Sequence, residues 1–226
     1  MSLLLCIETS TTNCSVAISK NGECIALKED NNAGYSHSES LHLFIEDLLA
    51  EQKITLDNLD AIVVSKGPGS YTGLRIGVST AKGLCYALDI PLIAINTLDS
   101  LAAEIKNDAN CYIVPMLDAR RMEVYTTTYT ENYKNIEPTK ALILEETSYS
   151  ELLEKQKTIF IGNGVAKFQE ICKHPNAEFI ANKVPSAKNL CGLAHQKFEA
   201  KNFEDVAYFE PYYLKDFVAG VKKKKG

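Results

Sequence analysis

The chain has 226 residues, 46% of them hydrophobic, and 24 Lys and Arg against 29 Asp and Glu give a net charge of −5. That is enough to bury a sizeable core in one large domain or two small ones, while the acidic balance and the lack of a basic stripe in the body exclude this chain alone as a strong nucleic-acid binder. No apolar run approaches the roughly 20 residues needed to span a bilayer, and Leu3 to Ile7, broken by Glu8 and without a basic n-region, is too short for a signal peptide, so a cytoplasmic protein without membrane contact is expected. Seven cysteines, an odd number with no C-x-x-C pair, mostly sit in apolar runs such as LLLCIE and read as reduced core residues.

In chain order, LLLCIE reads as a strand, TSTTNC as a polar turn, SVAISK as a second strand and GECIALKED as a third behind the Asn21-Gly22 hairpin signal, an antiparallel meander. Ser36 and Glu39 fit a capping box for a helix over 38–52, where Leu41, Phe44, Ile45, Leu48 and Leu49 follow i, i+3, i+4, i+7, i+8 spacing. His37, in its first turn, reads as a surface or capping residue. The run AIVVS, 61–65, is a buried strand, and KGPGSYTGLRIGVSTAKGL, 66–84, is a glycine-rich turn followed by a helix over 73–88 that Ser70 or Thr72 caps. Pro91 precedes a short strand, LIAI, and a helix from Thr97 turns Leu98, Leu101 and Ile105 inward.

The polar stretch KNDAN, 106–110, is the best candidate boundary, because the pattern then restarts. CYIVPMLDARRMEVYTTTY gives strand, acidic turn, strand, with Asp118 where the first half has Glu8, and TIFIGNGVAKF echoes AIVVSKGPGSYTGL as strand, glycine turn, helix. The expectation is a duplicated α/β unit, lobes over 1–108 and 109–221, with a cleft between them. A helix near 149–156 with Ser148 and Glu151 as capping box, another near 187–200 capped by Ser186, and an aromatic closing segment, DVAYFEPYYLK, that packs back complete the second half. The lysine run over 222–226 reads as a solvated, disordered tail.

Gly73, Gly77 and Ala81 recur at i+4 steps on one helical face although a mid-helix Gly costs about 1 kcal/mol against Ala. Two explanations compete: close approach of a neighbouring helix of the same fold, or of a helix from another protein. The turn itself fits neither common phosphate loop. G-x4-G-K-[ST] fails because Gly69 and Gly73 have three residues between them and Leu74-Arg75 follow; G-x-G-x-x-G fails because Gly67, Gly69 and Gly73 read G-x-G-x3-G.

The turn from Glu8 to Thr11, the SVAI strand, the HSE-headed helix, GPGSYTGLRIGVSTAKGL, DARRMEVY and PYYL together resemble the TsaB (YeaZ) family over nearly the whole body of the chain. The resemblance implies a duplicated actin-like ATPase fold (ASKHA, ribonuclease H-like) and work in making N6-threonylcarbamoyladenosine at position 37 of tRNAs that read codons beginning with A. It implies a non-catalytic relative of the transferase TsaD that forms a heterodimer with it, with the small ATPase TsaE as a further partner, tRNA contacted only through the complex, and a homodimer open in isolation. TsaD carries an H-x3-H metal pair; in the matching segment INTLDSLA, Thr97 and Leu101 occupy those positions, and neither is a useful transition-metal ligand.

With no metal site, no catalytic residues and no required cofactor, the expected function lies in the two helices of the first half. They are expected to pack side by side and present Gly73, Gly77 and Ala81, with Leu41, Ile45, Leu48 and Leu74 at the edge and Arg75 at the rim, to the equivalent helices of TsaD. A weak nucleotide or Mg²⁺ site is the remaining chemistry: Glu8, Thr9 and Ser10 from one lobe, Asp118, Gly162 and Gly164 from the other. Arg120 and Arg121 are read as loop-rim residues. The competing readings are an independent small-molecule kinase or ATPase using Glu8 and Asp118, and a peptidase of the glycoprotease family, which needs a metal pair or triad that no spacing here supplies.

Overall fold

The structure, a computed structural model, describes residues 1–31, 37–105 and 110–215. Ser36 of the expected capping box, Lys106 to Ala109 of the expected boundary and the lysine tail lie outside the described residues.

The first meander forms as expected. Strands β1 (Leu3–Glu8), β2 (Cys14–Lys20) and β3 (Glu23–Asp30) pair antiparallel. Asn21 and Gly22 both have positive φ, 52° and 87°, as a two-residue hairpin of the primed type requires. β4 (Ala61–Ser65) and β5 (Leu92–Ile95) then add parallel to β1, giving the order β3-β2-β1-β4-β5.

A second sheet repeats this layout. β6 (Tyr112–Asp118), β7 (Glu123–Thr126), β8 (Lys140–Ile143), β9 (Thr158–Gly162) and β10 (Ala177–Ala181) have the order β10-β9-β6-β7-β8, the mirror listing of the same topology. The chain therefore has the duplicated α/β unit of the actin-like, ribonuclease H-like architecture.

Strand periodicity distributes the first core between two faces. Leu5, Ile7, Val16, Ile62 and Val64 meet α1 (His37–Gln52) and α2 (Tyr71–Leu88) through Leu41, Ile45, Leu48, Val78 and Ala81. Leu4, Cys6, Ala17, Val63 and Ile93 meet Ala187, Leu190, Cys191 and Ala194, which belong to a 3-10 turn and to α6 (Leu190–Glu199). The return to the first sheet thus begins well before the aromatic closing segment. That segment does pack back: Lys82 Nζ donates to the carbonyls of Ala207 at 3.1 Å and Phe209 at 2.9 Å, and the Tyr212 N–H donates to the Lys66 carbonyl at 2.7 Å.

The lobes are tied by α3 (Thr97–Ala102), whose Leu98, Leu101 and Ala102, with Ile105 just beyond, pack on Ile113, Leu117 and Ile161 of the second sheet. On the other face of that sheet, α4 (Ser150–Lys155) and α5 (Val165–Ile171) cover a cluster built on Phe160, Phe168 and Phe179.

Two expected caps differ. Tyr149, in a left-handed conformation, precedes α4, and the Ser148 hydroxyl accepts instead from the Glu145 N–H at 2.9 Å. Ser186 makes no cap bond; its hydroxyl donates to Glu29 Oε2 at 2.6 Å, pinning the start of the return to β3. At Ser148 a nearby backbone donor takes the hydroxyl from the helix terminus, and at Ser186 a carboxylate acceptor does.

Candidate partner-binding face and the sealed turn beneath it

Helix α2 is launched from the turn Lys66 to Ser70, which contains a cis Gly67–Pro68 bond and a Gly67 φ of 112° open only to glycine without strain. Ser70 caps the helix as expected: its hydroxyl accepts from the Gly73 N–H at 3.3 Å while its own N–H donates to the Ser10 carbonyl at 2.6 Å. The launch turn is thereby fastened to the β1–β2 turn.

That fastening decides what the glycine stripe does. A Cβ on Gly73 would overlap the Thr9 carbonyl oxygen, one on Gly77 would overlap Thr9 Oγ1, and Gly69 lies equally close to the Ser10 backbone. The Thr9 hydroxyl donates to the Gly73 carbonyl at 2.8 Å, across a close backbone crossing. Gly73, Gly77 and Ala81 are buried inside this chain, so they cannot be the surface offered to another protein. The close approach comes from within the same fold, but from the Thr9 segment of the β1–β2 turn and not from the neighbouring helix that the spacing suggested.

The edge residues are corrected with them. Leu41, Ile45, Leu48 and Leu74 are at most 5% exposed and belong to the chain's own core. Arg75 is exposed but engaged within the chain, its Nε donating to Tyr213 Oη at 3.2 Å and its guanidinium 4.1 Å from the Tyr71 ring centroid.

The opposite side of α2 is open. Thr72, Ser79, Gly83 and Tyr86 are exposed and Ile76 half-buried, a 4-3-4-3 spacing that forms a continuous helical seam. Tyr86 is 86% exposed, and a Cβ on Gly83 would meet nothing within 4 Å. Alongside, α1 leaves Leu43 58% exposed and carries Glu39, His42, Glu46 and Ala50 to the surface. Sequence reasoning missed this seam, although one signal was present. Gly83 stands two residues past Ala81, about 200° around a helix at about 100° per residue, and so cannot share the buried stripe's purpose.

The expected nucleotide residues are also corrected. Glu8, Thr9 and Ser10 are buried at the base of α2, not lining an open cleft. Burial raises the Glu8 carboxyl above its ordinary range, against hydrogen bonding from Ser10 that favours its ionised form. Its Oε1 accepts from the Ser10 N–H at 2.7 Å, and Oε2 has no partner among the described residues. An acid held this way is a poor seat for hydrated Mg²⁺, which needs a solvated carboxylate and keeps several waters.

Asp118 is exposed and already ion-paired with Lys167, whose Nζ also donates to the Arg121 carbonyl at 2.8 Å and the Glu123 carbonyl at 2.7 Å. A Cβ on Gly162, at φ 137°, would overlap the Met116 carbonyl, and one on Gly164 would press on Val124. Both glycines are packing residues. Arg120 and Arg121 lie exposed on the β6–β7 turn with positive φ. His37 is not at the surface: it is 2% exposed, with Nε2 2.7 Å from the Thr11 carbonyl. Among the described residues no group of three or more His, Cys, Asp or Glu side chains is placed to hold a metal, and no helix is long and apolar enough to cross a membrane.

A family described as TsaD, tRNA N6-adenosine threonylcarbamoyltransferase, matches residues 31–223. The tRNA threonylcarbamoyladenosine biosynthesis protein TsaB of Buchnera aphidicola subsp. Schizaphis graminum is 31% identical over 195 residues, covering 83% of this chain and 90% of its own. The chain belongs to the TsaB (YeaZ) family. The Escherichia coli protein of the same name is 29% identical over 227 residues, 97% of each chain. YeaZ from Pseudomonas aeruginosa superposes with a TM-score of 0.83 at 28% identity, covering 95% of this chain and all of its own. A more distant structure, the (R)-2-hydroxyglutaryl-CoA dehydratase component A of Acidaminococcus fermentans, shares the fold alone, with a TM-score of 0.53 at 9% identity. In this TsaB-family chain Thr97 and Leu101 are both fully buried; the Thr97 hydroxyl lies 2.7 Å from the Ser65 hydroxyl, and Leu101 packs in the core beneath the second sheet.

Proposed function

We propose that this TsaB-family chain is a non-catalytic, cytoplasmic subunit required for N6-threonylcarbamoyladenosine formation at position 37 of tRNAs reading codons that begin with A. It acts by heterodimerising with TsaD through the outward seam of α2 and the neighbouring face of α1, with TsaE joining the pair and tRNA reached through the complex. The observation that carries this reading is the open seam Thr72, Ile76, Ser79, Gly83 and Tyr86 on a helix whose inner face is closed.

An open Gly83 lets a partner backbone approach closely, and Ile76, Tyr86 and Leu43 supply apolar surface at about 25 cal/mol per Å² buried. Exposed acids on α1, Glu39 and Glu46, favour a partner with cations at the matching rim, which sets orientation more than affinity. The sealed Glu8 and the paired Asp118 support a subunit that has given up the chemistry of its fold in favour of that surface.

Reconstitution of tRNA modification with and without the chain tests the function, and Gly83→Leu tests the face. Omission should abolish the modified nucleoside. Gly83→Leu should reduce TsaD capture by about 100-fold or more, since a clash at the centre of an interface costs several kcal/mol, while its thermal midpoint stays at or above the parent's. Full modification without the chain sinks the function; full-yield capture by the variant sinks the face.

A further inference from the structure

Away from α1 and α2 the lobes form a cavity of about 920 Å³ that is open to solvent on one side, within the range of about 300–1,000 Å³ typical of small-molecule sites. Three parts of the chain wall it: Lys66, Asn96 and Asp99 beyond the carboxyl ends of β4 and β5, a second-lobe segment from Tyr129 to Thr139, and the return from Lys188 to Lys197. Carboxyl ends of strands are where open α/β sheets place ligands. None of Glu8, Thr9, Ser10, Asp118, Gly162 or Gly164 lines it, so it is separate from the sealed turn.

Its charges are unbalanced. Three lysines face one acid, and Asp99 already accepts from the Tyr129 hydroxyl. Lys66 and Lys188 make no ion pair among the described residues. Lys197 Nζ donates to the Ala94 carbonyl at 2.7 Å, and burial, with repulsion from Lys66, holds its pKa below the ordinary 10.5 despite attraction to Glu204 and Asp99. The side-chain nitrogen of Asn189, another lining residue, is buried without a hydrogen-bond partner.

Lys66 and Lys188 are cations without an ion-pair partner among the described residues, and an anion between Lys66 and Lys197 would relieve the repulsion between them. No arginine lines the cavity. The arginine fork reads carboxylates and phosphates alike in a planar, bidentate way, whereas lysine ammoniums act as point charges and are established phosphate binders that several phosphate oxygens can share. The rest of the wall offers the amides of Asn132, Asn135 and Gln196, which suit a hydrogen-bonding body and not an acyl chain.

We propose that this interlobe cavity binds a phosphate-bearing small molecule of up to mononucleotide size, with the phosphate between Lys66 and Lys197. The site belongs to the chain by itself and needs no partner protein, so its failure would leave the heterodimer reading untouched.

Gly192 gives the means of testing it. It lines the cavity from α6, and a Cβ there would meet nothing within 4 Å. Gly192→Leu therefore intrudes on the cavity while replacing a poor helix former by a good one. The full chain is titrated calorimetrically with adenosine 5′-monophosphate and, separately, with inorganic phosphate. At least one should bind saturably with Kd below about 1 mM. Lys66→Ala should weaken that binding about tenfold or more, and Gly192→Leu should remove it without lowering the thermal midpoint. Equal affinity for the two probes supports the free ion as ligand; nucleotide binding about tenfold tighter supports a phosphate ester. No saturable binding of either up to about 5 mM, or affinity unchanged by Gly192→Leu, overturns the site. Should that variant fail to fold, unchanged affinity in Lys66→Ala overturns it alone.

Discussion

The two sides of α2 use glycine for opposite ends. On the inner side, Gly73 and Gly77 have no room for a Cβ because the Thr9 segment crosses there, joined by the Thr9 to Gly73 hydrogen bond. On the outer side, Gly83 has room all round. A mid-helix glycine costs about 1 kcal/mol wherever it stands, so both kinds call for an offsetting contact. Only the inner pair finds it within the chain. The periodic spacing of 73, 77 and 81 reports that something approaches closely; it carries no information on whether that something is covalently connected. The isolated glycine, out of register with the stripe, is the one left without a neighbour.

The comparison breaks most visibly at Gly77. Gly77→Leu must displace Thr9, which is itself held to α2 by its bond to the Gly73 carbonyl, and it does so in a buried place. Overpacking of this kind against backbone falls at the upper end of single-substitution effects, about 4 kcal/mol or more. Urea unfolding should show the midpoint collapse, with the insoluble fraction rising in expression. A variant that stayed folded and lost only TsaD would return the inner stripe to the partner and overturn the assignment of the two sides.

A smaller effect is expected beneath the stripe, at Glu8. Its carboxyl is raised by burial, so the folded chain holds the proton more tightly than the unfolded chain does. The stability this contributes is fully present below the ordinary value of 4.5, and is lost as pH rises through the raised folded value. Glu8→Gln removes that proton linkage while keeping the shape. Wild type should lose stability relative to the variant as pH climbs from about 4 to 8, the gap reaching about 1–3 kcal/mol, the usual cost of a buried group left partly unsatisfied. Parallel stability curves for the two proteins across that range would show instead that Glu8 is solvated, as an open nucleotide cleft requires.

Much of this fold is legible in the sequence because its elements carry strong local signals. The Asn21-Gly22 hairpin, the apolar AIVVS run and the Ser70 cap all follow from residue chemistry within a few positions of where they act. β8 and β10 are not legible: Lys140–Ile143 and Ala177–Ala181 are short edge strands, largely half-buried, with no clean alternation to announce them. His37 departs from its expected surface position for a related reason. Its acceptor is the Thr11 carbonyl, 26 positions earlier, and only the folded turn brings the two together.

The candidate sites divide along the same line. The spacing of Gly73, Gly77 and Ala81 marks a close approach to α2, yet which element makes it depends on the long-range crossing by Thr9. The cavity lysines at 66, 188 and 197 sit in three segments with no common spacing, so no local pattern links them. Their meeting exists only once the return helix lies across the first sheet.

The smallest effect belongs to Ser70, and it separates two ways of fixing the start of α2. The hydroxyl accepts from the Gly73 N–H at 3.3 Å, a long bond, while the main-chain N–H of the same residue donates to Ser10 at 2.6 Å. Ser70→Ala deletes the first and leaves the second. If the backbone bond to the β1–β2 turn is what sets the direction of α2, the cost should stay near the low end for a lost N-cap, about 0.5–1 kcal/mol, with TsaD capture unchanged. A loss of 2 kcal/mol or more, roughly the ceiling for such caps, accompanied by weakened capture, would mean that the hydroxyl itself aims the helix. The closed and open sides of α2 would then be set by the cap and not by the Thr9 crossing.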